Sequence, residues 1–248
     1  MKNLVSIIIP HYKNHNLLIR ALNSISKQKY KKYEIIVVND NPKHKIKLEI
    51  KNYNKNFLKK IKVLNNKKNY GAGFSRNKGI ALSKGEYIAF LDNDDIWNKN
   101  KLFKQISFMK KNNYSISHTS YRIIDGKKNY ISCRNAKNLD YKNLLKSCDI
   151  GLSTVILKKK ILNMKNPFPN LKTKEDYVLW LKISKLGNVF YGFNQKLTDW
   201  TDTPYSLSKS NIQKLIDAFR VYYVYEKFSF IKSLCNTFFL SLNYLKKK

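Results

Sequence analysis

Apolar residues in this chain come in short runs separated by stretches of helical spacing. The run LVSIIIP (Leu4–Pro10) is continuous and ends at a proline, which predicts a buried strand. In NHNLLIRALNSISKQ, Leu17, Leu18, Ala21, Leu22 and Ile25 share one helical face. YEIIVVND (Tyr33–Asp40) repeats the strand pattern and is followed by Pro42. A Lys-rich helix over roughly residues 43–58, a strand KIKVLNN, a turn at Gly71-Ala72-Gly73 and a helix in GFSRNKGIALSKG come next. A further buried strand runs from Tyr87 to Asp92. Strand–helix alternation of this kind predicts an α/β fold with a mainly parallel sheet and helices on both faces. Ligands bind such sheets beyond the carboxyl ends of the strands, where Pro10, Asp40 and Asp92 fall.

After about residue 112 the pattern loosens. SISHTSYRII and NYISC read as strands around a turn at Asp125–Gly126, and GLSTVILKK as another strand. TKEDYVLWLKISKLG is an amphipathic helix closed by Gly187. From Gln213 onward, Phe, Tyr and Leu are interspersed with Lys. The 248 residues suffice for one substantial core with a small appendage.

Charge changes the picture less than its size suggests. The formal balance is +33, from 49 Lys+Arg against 16 Asp+Glu, and it raises nucleic acid or an anionic membrane as partners. Only Arg20, Arg76, Arg122, Arg134 and Arg220 are arginines, whereas base and phosphate readers lean on arginine forks. Lys, Asn, Ile and Tyr are raised together along the whole chain, so no specific nucleic acid is expected; a basic surface facing anionic lipid stays open. Cys133, Cys148 and Cys235 are scattered and fit a reduced, cytoplasmic setting. The first apolar run is too short for a signal peptide, and no window offers the roughly 20 apolar residues of a membrane span.

The chemistry is concentrated in GEYIAFLDNDDIW, where a strand runs into Asp92, Asp94 and Asp95. At about 5 Å and an effective dielectric near 20, each like-charged pair costs roughly 3 kcal/mol, so a positive partner is expected. An EF-hand loop opened at Asp92 fails, because its glycine and glutamate positions hold Trp97 and Phe103. A dinucleotide fingerprint from Gly71 fails at Arg76, and the Walker pattern is absent. One aspartate would suffice to cap the following helix. A hard divalent cation held by one or two aspartates and a substrate diphosphate explains the cluster better. Arg76, beside a Gly-rich helix start, is either a further diphosphate contact or an ordinary solvated arginine. Thr173-Lys174-Glu175-Asp176 fits a helix capping box.

Taken in order and spacing, VSIIIPHYKNHNLLIRALNSISKQKYKKYEIIVVND, GAGFSRNKGIALSKGEYIAFLDNDDIW and KEDYVLWLKI resemble the family-2 inverting glycosyltransferases of the GT-A fold. TSYRIID, GLSTVIL and YSLSKSN are similar to its branch named for teichuronic acid biosynthesis, beside enzymes of O-antigen and capsule assembly. The resemblance implies a Rossmann-like GT-A domain over residues 1–205, with a nucleotide-sugar half to about 97 and an acceptor half after it, then a helical tail over 206–248. It implies that Pro10, His11 and Tyr12 line the nucleotide-base pocket of a UDP-sugar and that Asp40 bonds the base, although the usual acidic neighbour is Asn39 here. Arg76 then serves the donor diphosphate, and Asp92-Asn93-Asp94 is the DxD motif, with Asp92 towards the ribose and Asp94 on Mn2+ or Mg2+. Asp95, Trp97, Glu175 and Trp180 shape the donor or acceptor pocket, and Asp176 becomes the catalytic base in place of the cap.

On that reading a sugar passes from UDP to a saccharide hydroxyl, on an acceptor expected to be lipid-linked, during cell-surface polysaccharide synthesis. The tail is expected either to pack on the core or a second subunit or to sit on the inner face of the cytoplasmic membrane. Two further readings are an inactive, basic nucleic-acid- or membrane-binding member of the fold and an aspartate phosphatase. The phosphatase wants its acids on the first strand, where there are none.

Overall fold

The computed structural model describes residues 1–46, 53–202 and 210–245. Its N-terminal half is built from four strands that the apolar runs dictate: β1 (Val5–His11), β2 (Tyr33–Asn39), β3 (Ile61–Asn65) and β4 (Tyr87–Phe90). They pair in parallel in the order β3-β2-β1-β4. Alternate side chains of β1 feed opposite layers. Ile7 and Ile9 pack with Leu18, Leu22 and Ile25 of α1 (His15–Ser26), while Ile8 joins Ile80 of α3 (Ala72–Leu82) on the other face. That second contact needs Gly79, where a Cβ would lie 2.5 Å from Ile8 Cγ2.

The remaining half is mixed. β5 (Ile96–Trp97), β6 (Ile116–Asp125), β7 (Tyr130–Arg134), β8 (Ile156–Lys158) and β9 (Tyr191–Asp202) extend the sheet as β4-β8-β6-β9-β5, with β7 on the side of β6. β8 runs antiparallel to β4 and β6, whereas β9 is parallel to β6 and antiparallel to β5. The sheet is therefore parallel through the N-terminal half and mixed beyond it. Helix α4 (Lys101–Lys111) follows β5, and α6 (Glu175–Lys185) is buried against the sheet through Tyr177, Leu179 and Trp180.

Three expectations are revised in detail. The Lys-rich helix over 43–58 is seen only as one turn, α2 (Lys55–Leu58), and residues 47–52 lie outside the described residues. GLSTVILKK contributes a 3-10 turn at Leu152–Thr154 before its short strand. After the brief helix α5 (Tyr141–Leu144), α6 starts without the expected capping box. Lys174 takes a left-handed conformation at φ 61°, with no side-chain cap. The Thr173 hydroxyl instead donates to Asp217 Oδ2 at 2.9 Å, because the tail supplies a buried acceptor there.

The tail forms α7 (Asn211–Arg220), a π-helical turn (Val221–Tyr225) and α8 (Phe230–Leu245). Ala218, Val221, Tyr222 and Leu240 join the core around α6. Polar contacts pin the same elements: Tyr222 Oη lies 3.0 Å from Tyr177 Oη, and Glu226 accepts from Lys185 at 3.1 Å.

Candidate active site

Parallel register brings the chemistry to one edge of the sheet. Pro10 is level with Val38, and His11 with Asn39; Ile8 faces Phe90, so Asp92 follows β4 at the level of Pro10. Asp40 is buried just past β2. Its Oδ1 accepts from Asn66 Nδ2 (2.8 Å) and from the Tyr70 amide (2.9 Å), and its Oδ2 from the Gly71 amide (2.7 Å). A carboxylate has about four acceptor positions, so one remains on Oδ2. Gly71 has φ 92°, a conformation that L side chains rarely adopt, and leads directly into α3. Asn39 turns its departure from the usual acid to use: its Nδ2 donates to the His44 carbonyl (2.7 Å) and to Asn65 Oδ1 (2.8 Å), which a carboxylate could not do.

The centre is a buried fork. Arg76, on α3, is 5% exposed. Its Nη2 donates to Asp92 Oδ1 at 2.7 Å and its Nη1 to Glu175 Oε1 at 2.5 Å. Burial works against the guanidinium charge, but the two carboxylates raise its pKa further, so it stays charged. The solvated reading of Arg76 is therefore excluded. Burial pushes Glu175 up to about 7, Arg76 opposing and Asp176 adding to the shift. Asp176, next on α6, is also raised, first by burial; Arg76 and the Tyr177 amide, which donates to its Oδ1 at 2.7 Å, pull the other way. Arg76 thus joins the end of β4 to the start of α6, residues 99 apart from it in sequence on the Glu175 side.

The three aspartates part company in space. Asp95 is 1% exposed and accepts from the Thr201 amide at 3.0 Å through Oδ1. Burial, then Asp94 and Asp92, hold its pKa well above the ordinary range. Asp92 and Asp94 remain part-exposed, and the Thr201 hydroxyl fixes the Asp94 carbonyl at 2.6 Å. Asn93 lies against His11, Nδ2 to Nδ1 at 3.2 Å. Burial, and then His15, push His11 down to about 4, so it is neutral at physiological pH. Tyr12 is exposed at the rim.

Other expected pocket residues lie behind the site. Trp97 is buried, its Nε1 donating to the Ser153 carbonyl at 2.8 Å. Trp180 is fully buried, edge-on to Phe190 with ring centroids 5.1 Å apart. Both indoles are thus packed in the core. Two positions had no signal in the sequence. The Ser153 hydroxyl accepts from the Asp92 amide at 3.0 Å, and Thr201 locks the acidic turn; only the pairing of β4 with β8 and of β5 with β9 brings them in.

Among the described residues, no group of three or more His, Cys, Asp or Glu side chains could hold a metal by itself. The part-exposed, oxygen-only pair Asp92 and Asp94 fits a hard cation that takes its other ligands from phosphate and water.

The chain has counterparts among known sequences and structures. The profile of glycosyl transferase family 2 matches residues 6–165. The chain belongs to that family. It is 37% identical over 187 residues, covering 75% of this chain and 72% of the relative, to the Escherichia coli UDP-Glc:alpha-D-GlcNAc-diphosphoundecaprenol beta-1,3-glucosyltransferase WfgD. To the Bacillus subtilis glycosyltransferase TuaG, named for teichuronic acid biosynthesis, it is 30% identical over 234 residues, 94% of this chain and 92% of TuaG. S. aureus TarS 1-349 in complex with UDP-GlcNAc shares the fold at TM-score 0.70 and 19% identity, over 92% of this chain and 69% of that one. So does the Pyrobaculum calidifontis mannosyltransferase PcManGT with GDP-Man and Mn2+, at TM-score 0.63 and 13% identity, over 91% and 64%. The protein is thus a family-2 glycosyltransferase of GT-A fold, of the kind found in bacterial polysaccharide biosynthesis.

Proposed function

We propose that this enzyme moves a hexose or N-acetylhexosamine from a UDP-sugar to a hydroxyl of a lipid-linked saccharide, with inversion, at the cytoplasmic face of the membrane. The observation that carries the reading is the Arg76 fork, which ties the acidic strand end to the helix start that bears Asp176. The UDP assignment draws on WfgD and TarS, whose names specify UDP-Glc and UDP-GlcNAc, and the acceptor class on WfgD. Residues 1–97 form the donor half, 98–205 the acceptor half and 206–248 the tail.

Pro10, His11 and Tyr12 would border the base, and the free position on Asp40 Oδ2 would take its N–H. Asp92 and Asn93 face the ribose. Asp94, with Asp92 beside it, would hold Mn2+ or Mg2+, which when bound neutralises charge on the departing diphosphate. Asp176 accepts the acceptor hydroxyl's proton as that oxygen bonds to the anomeric carbon from the side opposite the diphosphate. The bond to the diphosphate breaks, and UDP leaves with the bonding pair. A base of raised pKa is suited to this, since proton transfer works best when the pKa approaches the working pH. Buried Glu175 keeps Arg76 aligned.

The test is a screen of sugar nucleotides for metal-dependent UDP release and for transfer. Asp176→Asn is expected to keep donor binding and to lose transfer by at least about 10²-fold. Asp94→Ala should abolish the metal dependence. Near-normal transfer by Asp176→Asn would reject the base, and an unchanged metal titration in Asp94→Ala would remove that residue from the site.

A further inference from the structure

Helix α8 is sorted the wrong way round for a surface helix. Its buried positions include Ser233 and Thr237, while Phe230, Ile231, Phe238 and Phe239 are 57–74% exposed. The burial of hydroxyls costs little because each is satisfied within the helix: Ser233 donates to the Ser229 carbonyl at 2.9 Å and Thr237 to the Ser233 carbonyl at 2.8 Å. Helix α7 likewise leaves Ile212 at 73% and Ile216 at 49% exposed, while its inner side carries Asp217 and Ala218. Large apolar side chains exposed in this number on two adjoining helices mark a contact site.

Charge is sorted as well. From Ser210 onward the only acids are Asp217 and Glu226, and both are buried, Asp217 accepting from Thr173 and Glu226 from Lys185. The cations Arg220, Lys227 and Lys232 are exposed around the apolar residues. A second copy of this chain would bring another +33 against that surface, which repulsion opposes. An anionic bilayer meets both features, the apolar residues entering the interface and the cations the headgroups. No helix among the described residues is long and apolar enough to cross a membrane, so the contact would lie in the plane of the interface.

We propose that the outward face of α7 and α8 docks on an anionic lipid bilayer, with Ile212, Ile216, Phe230, Ile231, Phe238 and Phe239 in the interface. The inference rests on the geometry of the two helices and not on the donor or acceptor assigned above. Because Thr173, two residues before Glu175, is bonded to Asp217 of α7, a docked tail would hold the base-bearing helix at a fixed height above the lipid.

The experiment is flotation of the full chain with phosphatidylcholine vesicles, with and without about one-third phosphatidylglycerol, at roughly 0.1 and 0.5 M salt. The expected result is flotation with the anionic vesicles, weakened by salt and absent on phosphatidylcholine alone. The double variant Ile231→Glu, Phe238→Glu should lower the bound fraction by roughly tenfold or more, with melting temperature and donor-nucleotide release unchanged. Wild-type protein left at the bottom of the gradient, equal flotation of the double variant, or equal binding to neutral vesicles would overturn the proposal. So would sedimentation showing a dimer that the double variant converts to monomer, which would give the face to a second copy. Loss of nucleotide release from wild type with flotation intact would count against the enzymatic reading alone.

Discussion

The N-terminal half and the tail solve opposite sorting problems. In the N-terminal half, β1, β2 and β4 bury their apolar runs, and charge comes inside at the strand ends, at Asp40, at Asp95 and where Arg76 meets Asp92 and Glu175. In the tail, the acids and hydroxyls go inward, and Phe230, Ile231 and Phe238 remain outside. Both use buried polar contacts as long-range ties: the Arg76 ion pairs join β4 to α6, and hydrogen bonds to Asp217 join α7 to the segment preceding α6. The difference lies in what completes each surface. The N-terminal half is completed by β8 and α6 of the same chain, whereas the tail presents an apolar face that the other described residues leave exposed.

The largest effect is expected at the buried fork of the N-terminal half. Arg76→Met leaves Glu175 and Asp92 without their shared cation, and breaking a buried pair from one side costs about 3–5 kcal/mol. Urea denaturation should show that loss, together with weakened donor binding. A stability within about 0.5 kcal/mol of wild type would mean that the fork does not hold α3, β4 and α6 together.

How much of this was legible in the sequence follows the same division. The runs LVSIIIP and YEIIVVND dictated β1 and β2 to within a residue or two, because strands buried on both faces leave continuous apolar runs. That Asp40 and Asp92 lie at the strand ends was legible from the apolar runs they follow. The different fates of Asp92, Asp94 and Asp95 were not: Asp95 turns inward because Thr201, 106 residues later, meets it across paired strands. Trp97 and Trp180 looked like pocket residues, since an indole beside an acidic motif reads the same in sequence whether it lines a wall or supports it. The capping box at Thr173 failed for a similar reason, its hydroxyl being claimed by Asp217 from the tail. In the tail, the composition was legible and the direction was not, because helical spacing fixes an apolar stripe without saying which way it faces.

A pH comparison sharpens the picture of the buried fork. Burial raises Glu175 from its ordinary 4.5 to about 7. A carboxyl whose folded pKa lies above its unfolded one binds more protons when folded, so its contribution is complete below about 4.5 and lost as pH rises through about 7. Glu175→Gln removes this titration. Relative to wild type, the variant should therefore gain stability between about pH 5 and pH 7.5 in urea melts. Parallel curves for the two proteins over that range would show that Arg76 keeps Glu175 ionised throughout.

The smallest effect is the most discriminating for the tail. Ile8 is fully buried between α3 and the sheet, and Ile8→Ala should cost about 2–5 kcal/mol through lost contacts and the cavity left behind. Ile231 is chemically the same residue but 74% exposed, so Ile231→Ser removes almost no packing, and its effect on stability should stay within about 0.5 kcal/mol. Isoleucine at such a position contributes little to the folded monomer, and serine would be better hydrated. Urea melts of both variants decide the matter directly. A loss of more than about 1 kcal/mol for Ile231→Ser would mean that α8 buries that face against its own chain in solution, and the contrast between the two halves would collapse. A neutral result, combined with weaker flotation on anionic vesicles, would place the value of Ile231 entirely outside the fold.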